Sequence, residues 1–289
     1  MYTIITDSCC DLNEQVIAKY SQLEILNLSY TIAGVTSTES LTGQAAKAYY
    51  DRLRAGEVGT TSQITPAGFL DVFRAHAARG EAMLCLVFSS ALSGTYGSAC
   101  VARDMLLEEQ PDAQLEVVDT LSASAGQGMV VVDALERRDA GMSLAENAAW
   151  IRAHIQQYVH WFTVDDLHFL KRGGRCSPSA AFFGSMLNIK PVLHVDKEGQ
   201  LIPMEKVRGR RQALKALAEK LGRHGASKDQ TIFISHGDCE ADARVLAGML
   251  VDMYGCDPEK IVLSYVGPVI GSHSGPGTVA LFFRAEDRG

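Results

Sequence analysis

The sequence predicts an α/β protein, with an N-terminal parallel-sheet α/β/α domain followed by a C-terminal two-layer α/β domain with a mixed sheet. Three observations predict it. Short apolar runs alternate with helical patterns through the first half of the chain, the pattern of a parallel sheet covered on both faces. One run, Met83 to Phe88, holds six apolar residues without a break, which suits a strand buried on both sides. Beyond Tyr158 the alternation gives way to a hairpin with interleaved helices, as in a mixed sheet covered on one face. We place the boundary there, giving domains 1–158 and 159–289.

In order, Thr3 to Thr6 reads as a first strand, and Asp11-Leu12-Asn13-Glu14 has capping-box spacing for a helix reaching Tyr20. A second strand lies near Leu23 to Ile32 and a helix near Gly43 to Arg54. Thr60 to Ile64 is a hydroxyl-rich loop, after which Thr65-Pro66 opens a helix ending at Gly80. The Met83 strand runs into Ser89 to Ser98, where four serines, a threonine and two glycines precede a helix to Glu109. Hydroxyls and helix-start N–H groups there can converge on one anion, and Gly94 lets the backbone come close. A turn that simply caps its own helix favours the same residues. A further strand, Leu115 to Val118, precedes a helix through Gly126 and Gly128, and Ser143 and Glu146 frame a capping box for a helix to Tyr158.

In the second half, strands are expected at Val159 to Val164, Ile189 to Val195, Leu201 to Val207, Thr231 to Ser235, Ile261 to Val266 and Val279 to Arg284. Helices are expected at Asp166 to Lys171, from Ser177-Pro178 through Phe183, at Arg211 to Leu221 and at Ala241 to Tyr254. Lys197 to Gln200 is the hairpin turn. Gly267 to Gly277, too rich in glycine and proline to read as regular structure, centres on His273.

Composition narrows the function. With 47% hydrophobic and 21% charged residues in 289, the chain has an ordinary globular make-up. No apolar run is long enough for a bilayer, and the start has no basic leader, so a cytoplasmic protein is expected. Seven irregularly spaced cysteines argue for reduced thiols. No HExxH, CxxC, EF-hand, GxxxxGK[ST] or strand-following GxGxxG motif occurs, so neither a protein-held metal nor a phosphate-loop nucleotide site is expected, and no cofactor is assigned. Charge is uneven: Lys171 to Arg223 holds twelve Lys or Arg against four acids, a net +8 that leaves −15 elsewhere.

Together, Thr6-Asp7-Ser8, Thr61-Ser62-Gln63, Ser90 to Tyr96, Asp119-Thr120, Leu170 to Arg175, Lys190-Pro191, Lys206-Val207-Arg208 and the Gly271 to Gly277 loop resemble the DegV family, whose members bind a fatty acid and belong to a larger group with dihydroxyacetone kinase domains. Ile64 stands where that family has proline, and Cys176 where it has an aliphatic residue. The resemblance implies a carboxylate clamp at the domain junction, formed by Thr61, Ser62, Ser93, Gly94 and His273, with the acyl tail in an apolar tunnel. Candidate tail residues are Phe182, Phe183, Met186, Leu187 and Ile189, some of which plain core packing explains better. It also implies an ATP-dependent fatty acid kinase partner that phosphorylates the presented carboxylate to an acyl phosphate. Arg172 and Arg208 are candidates for docking it, with a structural ion pair the alternative for Arg208.

Two other readings compete. A serine hydrolase would use Ser93, His273 and either Asp7 or Asp119, although Ser93 lies outside a GxSxG elbow. Nucleic-acid binding by the basic window is opposed by the acidic remainder and the lack of a stacking series of aromatics.

Overall fold

The computed structural model describes residues 1–176 and 188–289. Its first half runs β1 (Thr3–Asp7), α1 (Glu14–Ile17), β2 (Leu23–Leu26), β3 (Ser29–Ile32), β4 (Val35–Ser37), α2 (Gly43–Arg54), β5 (Gly59–Ser62), α3 (Pro66–Ala78), β6 (Met83–Val87), α4 (Thr95–Glu109), β7 (Leu115–Asp119), α5 (Ala125–Asp139) and α6 (Leu144–His154). Its second runs β8 (Tyr158–Thr163), α7 (His168–Arg172), β9 (Ile189–Val195), β10 (Leu201–Arg208), α8 (Arg210–Arg223), β11 (Ile232–His236), α9 (Glu240–Tyr254), β12 (Ile261–Tyr265), α10 (Pro268–Ser274) and β13 (Val279–Arg284).

The first sheet is parallel, in the order β2-β1-β6-β7. Its strands are apolar throughout because both faces are covered. Ile5, Met83, Cys85 and Val117 pack with Phe69, Phe73 and Leu106 from α3 and α4. Ile4, Leu84, Leu86 and Val118 point the other way, into a core with α5 and α6. The second sheet has the order β10-β9-β8-β13-β11-β12 and is mixed, with β11 and β12 the parallel pair. Its side chains alternate as strand geometry requires. Val159, Trp161, Leu281 and Phe283 lie on the outer face beneath α8 and α9, while Phe162, Leu193, Phe233, Ala280 and Phe282 face the first sheet's core.

Helix α5 fills the space between the sheets, packing on β1 and β6 on one side and on β8, β11 and β13 on the other. Residues Ala125 to Val131 are buried without a break, so the first two turns of the helix have no solvent face, while Glu136 and Asp139 near its end are exposed. Two glycines permit the fit. A Cβ at Gly128 would lie 2.6 Å from the Cys10 carbonyl, and one at Gly126 would lie 2.1 Å from His160 Nε2 and 2.8 Å from Phe282 Cδ1. The division expected at residue 158 falls at the start of β8, yet the apolar core crosses it without a gap.

Four expectations are corrected. Asp11 does not cap α1: it has φ 46°, and Asn13 is the cap, its side chain accepting from the Val16 amide. Leu23 to Ile32 is two strands in different sheets, because the chain leaves the parallel sheet at Asn27-Leu28 and β3 then pairs with β4 and β5. Thr60 to Ser62 is therefore strand rather than loop. Gly267 to Gly277 contains a regular helix, since Pro268 occupies its first turn and glycine is left to break it at Gly275, with φ 79°. The capping box at Ser143 and Glu146 is present. The helix expected from Ser177-Pro178 lies outside the described residues.

Replacing Gly126 by alanine sets helix propensity, worth about 1 kcal/mol in favour, against overpacking, which costs about 1–3 kcal/mol. Because His160 and Phe282 are both buried, neither can step aside and overpacking wins. Urea unfolding is expected to show Gly126→Ala destabilised, whereas Gly248→Ala, an exposed site in α9 with nothing within 4 Å, is expected to be neutral or stabilised.

Candidate functional site

The site forms where β5 meets α10. Strand pairing of Tyr30 with Thr61 and Ser29 with Ser62 fixes β5. Two tyrosines of α2 fix α10: the Tyr50 hydroxyl donates to the Val266 carbonyl at 2.7 Å, and that of Tyr49 to the Pro268 carbonyl at 3.1 Å. The result is a contact of 2.8 Å between His273 Nε2 and Thr61 Oγ1. The other ring nitrogen faces Gly173, where a Cβ would stand 2.2 Å from Nδ1. If Nε2 carries the ring proton and donates to Thr61 Oγ1, the threonine keeps its own hydrogen for an anion.

The third contribution is the turn between β6 and α4. Ser93 Oγ lies 2.8 Å from Thr95 Oγ1 and accepts from the Thr95 amide at 3.3 Å. Gly94 has a reason different from the one its sequence suggests. The Gln63 side chain occupies the space beside it, with Oε1 only 2.2 Å from where a Cβ would be, and Gln63 Nε2 donates to Ser98 Oγ at 2.9 Å.

These residues line one cavity of about 350 Å3, the size range of small-molecule sites. Thr61, Ser62, Ser93, Gly94 and His273 all border it. Its apolar wall comes from Leu92, Leu170, Val269 and Ile270 and from the inner face of the second sheet, Phe162, Val195, Leu201, Ala280 and Phe282. Of the expected tail residues, Phe182, Phe183, Met186 and Leu187 lie outside the described residues. Ile189 alternates onto the same face as Leu193 and Val195, but it is only half-buried and does not line the cavity. In the sequence Phe162 and Phe282 are only strand residues; the signal that points to them is the two-residue alternation that turns both to the inner face.

Arg175 also lines the cavity and was missed as a site residue, because its neighbours Lys171 and Arg172 are exposed and the cluster reads as surface. Its guanidinium donates to the carbonyls of Leu92, at 3.2 Å, and Gly173. Burial, with the charges of Arg175 and Arg172 adding to it, pushes the His273 pKa down to about 4. The ring is neutral near pH 7, and the positive potential that opposes its protonation favours a bound anion.

The hydrolase triad does not assemble among the described residues. Asp7 is buried and accepts from the Phe88 and Cys9 amides and from Gln127 Nε2. Asp119 accepts from the amides of Leu121 and Ser90. Both carboxylates hold strand-end loops in shape, and His273 is oriented by Thr61 instead. In the basic window, Lys215, Lys220 and Arg223 pair with Glu205 and Glu219, which the +8 already counts, while Lys190, Lys197 and Arg210 pair with Asp165, Asp287 and Asp242 outside it and neutralise part of the +8. Arg208 is exposed and has no ion pair with a described residue, and Arg172 lies over the Phe169 ring at 4.8 Å. No group of three or more His, Cys, Asp or Glu among the described residues could hold a metal ion, and no helix among them is long and apolar enough to cross a membrane.

The DegV family model, described as an uncharacterised protein family, matches residues 1–286. A DegV domain-containing protein of Clostridium perfringens is 40% identical over 290 residues, covering 99% of this chain and 98% of that one. Among solved structures, a DegV family protein from Thermus thermophilus described for fatty acid binding superposes with a TM-score of 0.87 at 29% identity, over 98% of this chain and 99% of that one. A fatty-acid-binding DegV family protein from Streptococcus agalactiae gives 0.85 at 30% identity, over 99% of each chain.

The depressed His273 pKa has a sign that can be measured in delipidated protein. Between pH 6.5 and 4 the unfolded chain takes up a proton that the folded ring refuses, so this stability is complete above pH 6.5 and is lost as pH falls towards 4. Unfolding free energies of wild type and His273→Gln across that window are expected to show the wild type losing more. Parallel curves would mean that the ring is not held neutral.

Proposed function

Because the chain belongs to the DegV family, we propose that it binds a long-chain fatty acid where the two sheets meet and presents the carboxylate to an ATP-dependent kinase partner, which converts it to an acyl phosphate. The observation that carries the reading is a neutral His273 paired with Thr61 on the wall of a largely apolar cavity. A buried carboxylate is costly unless hydrogen-bonded. Here the Thr61, Ser62 and Ser93 hydroxyls supply donors, the imidazole orients Thr61, and Arg175 supplies positive potential without standing as a direct counter-ion. Charge-assisted hydrogen bonds of this kind are about twice as strong as neutral ones.

The tail supplies most of the affinity. At ~0.8 kcal/mol per methylene, about fourteen methylenes are worth roughly 11 kcal/mol before ordering costs. In this reading Phe162, Leu170, Val195, Leu201 and Phe282 form the tail wall, joined by Phe182, Phe183, Met186 and Leu187. The chain carries no nucleotide motif of its own, so ATP enters with the partner, and a cytoplasmic setting suits that reaction. Arg208 and Arg172 form the docking surface: both are exposed, and exposed charge steers association more than it holds a buried ligand.

Three outcomes are expected. Protein purified natively from a bacterial host yields about one long-chain fatty acid per chain on organic extraction and mass spectrometry; pure, folded protein without an acyl chain contradicts the reading. Thr61→Ala, Ser93→Ala and His273→Ala each weaken binding by about 1.5–3 kcal/mol in a fatty-acid titration, and unchanged affinity in all three would put the carboxylate elsewhere. Arg172→Ala combined with Arg208→Ala slows acyl phosphate formation with the partner kinase, most strongly at low salt, while fatty-acid affinity falls only slightly, because the exposed Arg172 adds less than Arg175 to the potential at His273. Collapse of lipid binding in that double variant would assign the arginines to the site itself.

A further inference from the structure

The cavity wall is not uniformly apolar. On the inner face of the second sheet one row of paired residues runs Phe162, Ala280, Ser235 across β8, β13 and β11, and the next places His160 opposite Phe282. The small Ala280 side chain leaves this part of the floor low. Ser124, His160, Ser235 and Ser274 all border the cavity. Two of these are satisfied by the protein: Ser124 donates to Asp11 Oδ2 at 2.6 Å, and the Ser124 and Ser235 hydroxyls lie 2.8 Å apart.

His160 is not. It is 1% exposed, and neither ring nitrogen makes a well-formed hydrogen bond with a described residue, the Tyr158 carbonyl being only a weak neighbour. The Nε2 edge of the ring is wedged against Gly126 and the ring is set edge-on to Phe282, with centroids 5.4 Å apart, so it is held in place. Burial, reinforced by the charges of Arg288 and His194, holds it neutral against the weaker opposing pull of the Tyr158 carbonyl. Ser274, 4% exposed, likewise has a hydroxyl with no partner among the described residues. Buried polar atoms are nearly always paired, and an unpaired one calls for an explanation. A neutral imidazole offers one donor and one acceptor, the complement of an alcohol.

We propose that the cavity favours a long-chain fatty acid bearing a hydroxyl group within its chain, with His160 as the hydroxyl's partner and specificity-determining residue. This rests on the fatty-acid reading of the site. Plain alkyl chains leave His160 unpaired, whereas a hydroxyl at the matching depth pays its own desolvation through that bond.

The test is a titration of delipidated protein with stearic acid and with hydroxystearic acids bearing the hydroxyl at successive chain positions. At least one isomer is expected to bind about fivefold or more tightly than stearic acid. His160→Leu is expected to bring that ratio close to one, and His160→Gln, which keeps a donor and an acceptor, to retain part of it. Stearic acid binding with no isomer preferred overturns this proposal alone, as does a preference that survives His160→Leu. Failure of stearic acid and every isomer to bind the wild type overturns the fatty-acid reading along with it.

Discussion

The burial of α5 between two sheets is the constraint on which the rest of the structure depends. A helix with apolar neighbours on both sides needs close backbone approach, and Gly126 and Gly128 provide it. Once α5 is seated, the inner face of the second sheet is held opposite the loops that end the parallel strands. The cavity is the space left between those two surfaces. Buried polar links brace the same junction: Asp11, with its pKa raised to about 7 by burial, accepts from Ser124 at the start of α5 and from the Gly267 amide ahead of α10. The Arg288 side chain, also buried, reaches the carbonyls of Leu121, Ile155 and Tyr158.

In the proposed fatty-acid reading, this arrangement separates two physical tasks. The second sheet and its neighbours supply apolar area, which gives affinity without direction. The hydroxyls of β5 and of the turn before α4, with the α10 imidazole, supply direction at one place. His273 serves by staying neutral. A charged imidazole there would carry the cost of burial beside two arginines, whereas a neutral one orients Thr61 and leaves the positive potential of Arg175 for an incoming carboxylate. In the proposed reading, lipid holding and partner docking use different residues, since the exposed Arg172 and Arg208 lie outside the cavity lining.

Much of this was legible in the sequence, for reasons that differ by element. The Met83 run announced a strand buried on both faces, and the alternation of strand and helix announced the parallel sheet, because periodicity records burial directly. The Gly267 to Gly277 stretch misled because glycine and proline density signals irregular backbone, while Pro268 in a first turn and Gly275 at a break are compatible with a short helix. Capping-box spacing at Asp11 misled because a long-range partner, the Gly267 amide, claims that carboxylate. Local pattern carries no record of such a competitor. The polar site residues stood out as hydroxyl-rich motifs. The sheet-face residues Phe162 and Phe282 did not, since a side chain lining a cavity and one filling a core have the same two-residue period. Arg175 was hidden for a related reason: only the fold turns it inward while Arg172 stays in solvent.

The central claim is that a fatty-acid carboxylate lies against Thr61 and His273 under the positive potential of Arg175. Carbon-13 NMR of palmitic acid labelled at the carboxyl carbon and bound to the protein, followed as pH is lowered, tests it most directly. The account predicts a bound carboxyl that stays ionised below the usual carboxylate range in the wild type, and that titrates at higher pH in Thr61→Ala and His273→Ala. A bound carboxyl that titrates like the free acid, or identically in all three proteins, would contradict it.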